Sequence, residues 1–246
     1  MNALISQTRA ELTLFVRDRT GVFFTILMPL LMVFLFGYLN RGREANGVSY
    51  ASFLLAGGIG IVVAGTSFEV LGTTLARERD DGILKRLGGT PLRASTMIEA
   101  KMLTSSTIIL TQAVIMVGMT TVVFEAEISG SLLGTVGALG LGIVTFTTMG
   151  IALAVLCRNA GVAAAAAHAV ALPMQFLCGT LFPLEVMPQF LQNIARVLPM
   201  TYFVDVLRGQ MLAGGGVHTY AQDWIIISGC LVVSFAITIK AFRWCK

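Results

Sequence analysis

The chain has 246 residues, of which 56% are apolar and only 12% charged, and its net charge is +4. Soluble domains sit near 45–50% apolar and about 25% charged. A mean hydropathy of +0.83 therefore excludes an ordinary soluble domain and makes lipid the solvent for most of the sequence.

The N-terminal residues 1–19 carry Arg9, Glu11, Arg17, Asp18 and Arg19, with no apolar core ahead of a small-residue cleavage site. No cleavable signal peptide is expected. Leu4, Ile5, Leu12, Phe15 and Val16 gather near one helical face, with Gln7, Arg9, Glu11 and Arg17 largely opposite. This predicts an amphipathic helix lying on the membrane surface. Uncharged runs follow at 20–40, 45–68, 102–124, 128–157, 159–184 and 224–239. A helix needs about 20 residues to cross about 30 Å of hydrocarbon. The last run is short, but Trp224 suits one interface and Lys240 can snorkel to the other. The predicted spans are 20–40, 50–73, 102–124, 131–157, 160–182 and 224–242, in one all-α integral membrane domain.

Lys and Arg accumulate in cytoplasmic loops. With the N-terminus inside, thirteen of the 17 Lys and Arg fall on the cytoplasmic side, leaving Arg41, Arg43, Arg196 and Arg208 outside. Both termini are expected to be cytoplasmic, in a multi-pass protein of the cell membrane. Topology also accounts for the basic residues without a nucleic-acid partner.

Charge is densest at 76–95, "ARERDDGILKRLGGTPLRAS". Asp80 or Asp81 can cap a helix start, and Asp81 stands four residues before Lys85. Ile83, Leu84 and Leu87 make a small apolar face; Gly88 and Gly89 end the turn, and Pro91 prevents its continuation. A short helix of this kind suits a cleft on a soluble partner, although a solvated loop would also satisfy the charge pattern. Taken with "IEAK" (98–101), the stretch resembles the coupling-helix segment of ABC-2 type transporter permeases, carried by Glu78, Gly82, Leu84, Leu87, Pro91 and Lys101.

A second match lies at 179–209, "GTLFPLEVMPQFLQNIARVLPMTYFVDVLRG". It is similar to that family's C-terminal signature, and the compact loops of the chain resemble the drug-resistance branch of the family, including daunorubicin-type exporters. The resemblance implies a type V exporter-like fold: six transmembrane helices, an interfacial N-terminal helix, a cytosolic coupling helix and external re-entrant helices at 183–209. It also implies two ATP-binding partner subunits, which would hold ATP and Mg, and a second permease copy, as in a homodimer. The coupling residues would be Glu78, Asp81, Gly82, Ile83, Leu84, Leu87 and Pro91. The external gate would be Phe182, Pro183, Met187, Pro188, Phe190 and Tyr202.

Read without the resemblance, Phe190, Leu191, Ile194, Val197 and Leu198 still define the apolar face of a short amphipathic helix. Residues 201–208 can form another, stopped by Gly209. Gly214, Gly215 and Gly216 read as a connector. No Gly-Lys pair exists in the chain, so a phosphate-binding Walker A loop is absent and ATP hydrolysis falls to a partner. His168 and His218 lie on different elements, and the four cysteines show no metal-ligand spacing. No catalytic or metal site is expected.

Ionisable groups inside spans are costly and often functional. Glu69 lies about 27 Å from an outer start near Tyr50 at 1.5 Å per residue, which assigns it to the cytoplasmic interface or to an entrance there. His168, about 12 Å into the fifth span, is either a hydrogen-bonded structural residue or a substrate contact. The candidate pathway is Glu69 with the face of His168, Leu172, Gln175, Phe176 and Gly179. Fifteen Phe and 12 Met suit a lipophilic or amphipathic substrate, with a lipid-linked glycan or polysaccharide as the alternative. An ion-coupled carrier would need a richer supply of intramembrane acids. A non-transporting membrane scaffold is the remaining class.

Overall fold

The computed structural model describes residues 3–45, 47–89, 94–213 and 220–241. Pro91, Gly214, Gly215, Gly216 and His218 lie outside the described residues. Helix α1 (Ala3–Arg17) leads to Asp18, whose carboxylate accepts a hydrogen bond from the Gly21 amide at 3.0 Å and caps α2 (Arg19–Leu39). A two-residue antiparallel ladder, β1 (Glu44–Ala45) against β2 (Val48–Ser49), reverses the chain. The Ser49 hydroxyl then caps α3 (Tyr50–Asp80). The remaining helices are α4 (Ile83–Gly88), α5 (Ala94–Phe124), α6 (Leu132–Leu156), α7 (Ala160–Leu177), α8 (Gln189–Ala195), α9 (Pro199–Arg208) and α10 (Ala221–Ala241).

Among the described residues six helices are long and apolar enough to cross a membrane: α2, α3, α5, α6, α7 and α10. The all-α reading with six spans holds. Two helices outrun the apolar stretches that located them, since α3 continues to Asp80 and α5 already begins at Ala94. Arg and Glu are good helix formers, so α3 runs on through Arg77, Glu78 and Arg79 until backbone geometry ends it. That point is Gly82, whose φ of +71° is left-handed and favours glycine.

Helix α3 is the centre of the bundle. Its apolar window is 83% buried, against 11% for α2 and 17% for α10, whose sides are largely exposed. Phe53, Leu54, Leu55, Ala56 and Val63 are fully enclosed and join Phe146 of α6, Phe203 of α9 and Leu181 in one core. Gly57 is required there, because a Cβ would lie 2.0 Å from the Thr180 carbonyl oxygen.

The α8–α9 hairpin reaches back into the bundle. Met200 and Val204 lie against Gly60, about 15 Å along α3 at 1.5 Å per residue. The Phe203 ring meets Phe146 edge-on at 5.6 Å. The other end of α9 returns to the start of α6, where the Gly130 and Ser131 amides donate to the Met211 and Gln210 carbonyls at 2.9 and 2.8 Å. Gly209 does not stop this segment as expected. It keeps right-handed helical geometry, and the chain continues as a widened π turn, Gly209–Ala213. Two more π turns interrupt spans, Phe23–Leu27 in α2 and Ala64–Val70 in α3.

Candidate functional site

The π turn of α3 carries Glu69. Since α3 runs on to Asp80, Glu69 is about 17 Å from that end of the helix at 1.5 Å per residue, and its side chain is engaged by α7. Glu69 Oε1 pairs with His168 Nδ1 at 2.9 Å, and Gln175 Nε2 donates to Glu69 Oε2 at 3.4 Å. Ala163, Ala167, Ala171 and Met174 form the buried side of α7. His168, Leu172 and Phe176 are exposed on the other side. Of the six expected pathway residues, Glu69, His168 and Gln175 thus come together. Leu172 and Phe176 look out of the chain from the same helix, while Gly179 lies beyond its C-terminal end. Glu69 and Gln175 line a cavity of about 230 Å³ with Phe24, Met28, Met32 and Ile61.

At the N-terminal end of the bundle, Lys101 of α5 is the connecting residue. Its Nζ donates to Glu78 Oε1 at 2.7 Å and to Glu11 Oε1 at 2.9 Å, tying α3 and α1 to α5. Glu78 therefore points into the chain, and its second oxygen is buried without a hydrogen-bond partner among the described residues. Arg79 Nη1 donates to the Ala154 carbonyl at 2.7 Å, and Asp80 Oδ2 accepts from the Ala160 amide at 2.6 Å. These bonds satisfy the exposed groups where α6 ends and α7 begins. Asp80 therefore caps α7 together with Asn159, not α4. Asp81 closes α3, and the residue before α4 is Gly82, which offers no side-chain bond.

Ile83, Leu84 and Leu87 do not form one outward face. Leu84 is 8% exposed, enclosed with Leu71, Leu75, Ala76 and Met97, and Leu87 packs on that cluster. Ile83 is 40% exposed, beside exposed Asp81, Lys85 and Arg86. A one-turn helix cannot keep three apolar side chains on the surface when its own stem offers an apolar groove.

In the segment between α7 and α9, the Phe182 ring meets Phe36 of α2 edge-on at 5.5 Å. Pro183 precedes a single 3₁₀ turn, Leu184–Val186, which Met187 closes and Pro188 follows into α8. Phe190, Ile194 and Val197 are exposed. Gln192, Arg196, Tyr202 and Asp205 line a polar cavity of about 340 Å³ with Glu185, and the Tyr202 hydroxyl donates to the Arg196 carbonyl. Burial pushes the Asp205 carboxyl up to about 6, against the pull of Arg208. Arg208 lies 3.9 Å over the Phe53 ring and donates to the Gly179 carbonyl at 2.7 Å, latching α9 to α3 and to the end of α7.

The profile of the ABC-2 type transporter family matches residues 2–212. The chain belongs to that family. It is 26% identical over 173 residues to the inner membrane transport permease YhhJ of Escherichia coli, covering 70% of this chain and 46% of that one. It spans about half the length of YhhJ. It is also 27% identical over 187 residues to nodulation protein J of Neorhizobium galegae, covering 74% and 71%. With the putative transport permease YvfS of Bacillus subtilis it is 26% identical over 237 residues, covering 93% and 92%.

Some contacts that organise this ABC-2 chain drew no notice in the sequence. Lys101 reads there as a cytoplasmic cation and as part of the coupling-helix resemblance, but nothing in its spacing names Glu11 as a partner 90 positions away. Gln112 is fully buried between α2 and α3. An amide within the apolar run 102–124 was its available signal.

Proposed function

We propose that this ABC-2 chain is the membrane subunit of an ATP-driven exporter that moves a lipophilic or amphipathic substrate, such as a drug, antibiotic or lipid-like compound. Two copies pair, their N-terminal faces lie in the cytoplasm, and two ATP-binding subunits dock at the α4 region. ATP and Mg are bound in those partners. The observation that carries the reading is the Glu69–His168–Gln175 cluster within the spans, with the His168 side chain 58% exposed on the unpartnered face of α7. Ionisable groups facing hydrocarbon are costly and are normally turned toward protein or a water-filled cavity. A second copy supplies that cover and makes the α7 face a pathway wall. The α8–α9 hairpin, latched by Arg208, is then the outer gate.

The test is co-expression with an ATP-binding subunit and assay of ATP-dependent uptake into inverted vesicles. A Leu172→Cys variant should also cross-link between copies. Absence of ATP-dependent movement for a panel of amphipathic probes would sink the export reading. Failure of Leu172→Cys to cross-link in an active complex would remove α7 from the interface.

A further inference from the structure

A second cavity, of about 290 Å³, lies beneath α1, between its Glu11, Leu14 and Phe15 and the stems of α3 and α5. It abuts the cavity beside Glu69, and Thr25, Thr66 and Val70 line both. This neck is built where two π turns face each other, since Thr25 belongs to Phe23–Leu27 and Thr66 and Val70 to Ala64–Val70. Buried Gln112 spans the same place: its Nε2 donates to the Thr25 carbonyl at 2.6 Å, and its Oε1 accepts from the Thr66 hydroxyl at 3.5 Å. A π turn interrupts regular helix packing and is frequent at functional sites. Here two of them, from adjacent spans, form one constriction.

We propose that the two cavities are chambers of a single route, entered beneath α1, and that its ligand is an amphipathic organic cation. The proposal rests on the export reading only for the direction of movement. Charge supports the ligand class. Glu11, Asp18 and Glu78 line the mouth beneath α1 and Glu69 the chamber beyond the neck, against Lys101 and Arg77. Lys101 is already held by two of those carboxylates. His168 Nδ1 and Gln175 Nε2 each hold one of the two Glu69 carboxyl oxygens and fix its orientation. Around that carboxylate the walls are Phe24, Met28, Met32 and Ile61, an aromatic face for a cation with adaptable thioethers for an irregular apolar body. The Gln112 bridge holds the neck narrow until the π turns shift.

The experiment uses the full chain in nanodiscs, with its native cysteines replaced and Thr66→Cys introduced; Val70→Cys is a second probe of the neck. A cationic and an anionic methanethiosulfonate reagent of similar size are compared on folded, monodisperse protein. The cationic reagent should label at least about tenfold faster, in keeping with an acidic approach path. Tetraphenylphosphonium should protect, and tetraphenylborate, of like shape and opposite charge, should not. Glu69→Gln should reduce tetraphenylphosphonium protection at least about tenfold while sparing labelling itself. No labelling at either neck position overturns the continuous route. Labelling at equal rates, or equal protection by both ions, overturns the cation preference. These readouts need no ATPase, so their failure is distinct from failure of the export reading.

Discussion

Replacing Lys101 with Met keeps the length of the side chain and removes the charge that two carboxylates share. The Lys101 side chain is 4% exposed and those of Glu11 and Glu78 are each 17% exposed. An exposed pair would contribute only about 0–1 kcal/mol. Breaking a buried one costs about 3–5 kcal/mol, because the abandoned charges stay desolvated. Residual exposure of the carboxylates places Lys101→Met near the lower end, about 3 kcal/mol. At roughly 2–4 °C per kcal/mol for a chain of this size, the unfolding midpoint should fall by roughly 6–12 °C. Scanning fluorimetry at fixed detergent and lipid measures it. Adding Glu78→Gln removes one orphaned charge, so the double variant should be less unstable than the sum of the singles by at least about 1 kcal/mol. Limited proteolysis should show α1 released in the single variant. A fall below about 2 °C, or strict additivity with Glu78→Gln, would mean that the triad is not a buried electrostatic tie.

Leu84→Asp and Ile83→Asp should separate fold from docking. The first places a charge in the α3–α4–α5 cluster and should lower the unfolding midpoint markedly, since an unpaired buried charge costs several kcal/mol; the second should leave the midpoint within about 2 °C and reduce co-purification of the ATP-binding subunit. Normal co-purification with Ile83→Asp would place the docking surface elsewhere. Asp205 has a folded pKa of about 6, raised from 3.8 by burial, so between these values the folded chain holds a proton that the unfolded chain has released. Its contribution to stability is therefore lost as pH rises through about 4 to 6 and is level above that. Asp205→Asn should remove this fall when midpoints are compared from pH 4 to 7, and an unchanged profile would refute the assignment. His168→Ala should leave assembly intact yet change export of some substrates at equal protein level; unchanged transport across a panel would leave His168 a purely structural partner of Glu69.

Composition and patterning alone determined the membrane class, the six spans, an amphipathic helix near the N-terminus and the family resemblance. Hydropathy is summed along the chain, so long apolar runs and dense charge are visible without any knowledge of packing. Tertiary structure decided what those charges do. Asp80, read as a local cap, reaches across to α7, and Glu78, read as part of a docking surface, turns inward to Lys101. Leu84 leaves the surface for the groove of its own stem. α3 runs past its apolar stretch because helical hydrogen bonding continues through polar residues, and only the left-handed Gly82 ends it. His168 stands 99 positions from Glu69 in the sequence, and only the packing of α7 on α3 brings their side chains to 2.9 Å. Local periodicity carries no information about such pairs, because their energy arises between elements and not within one.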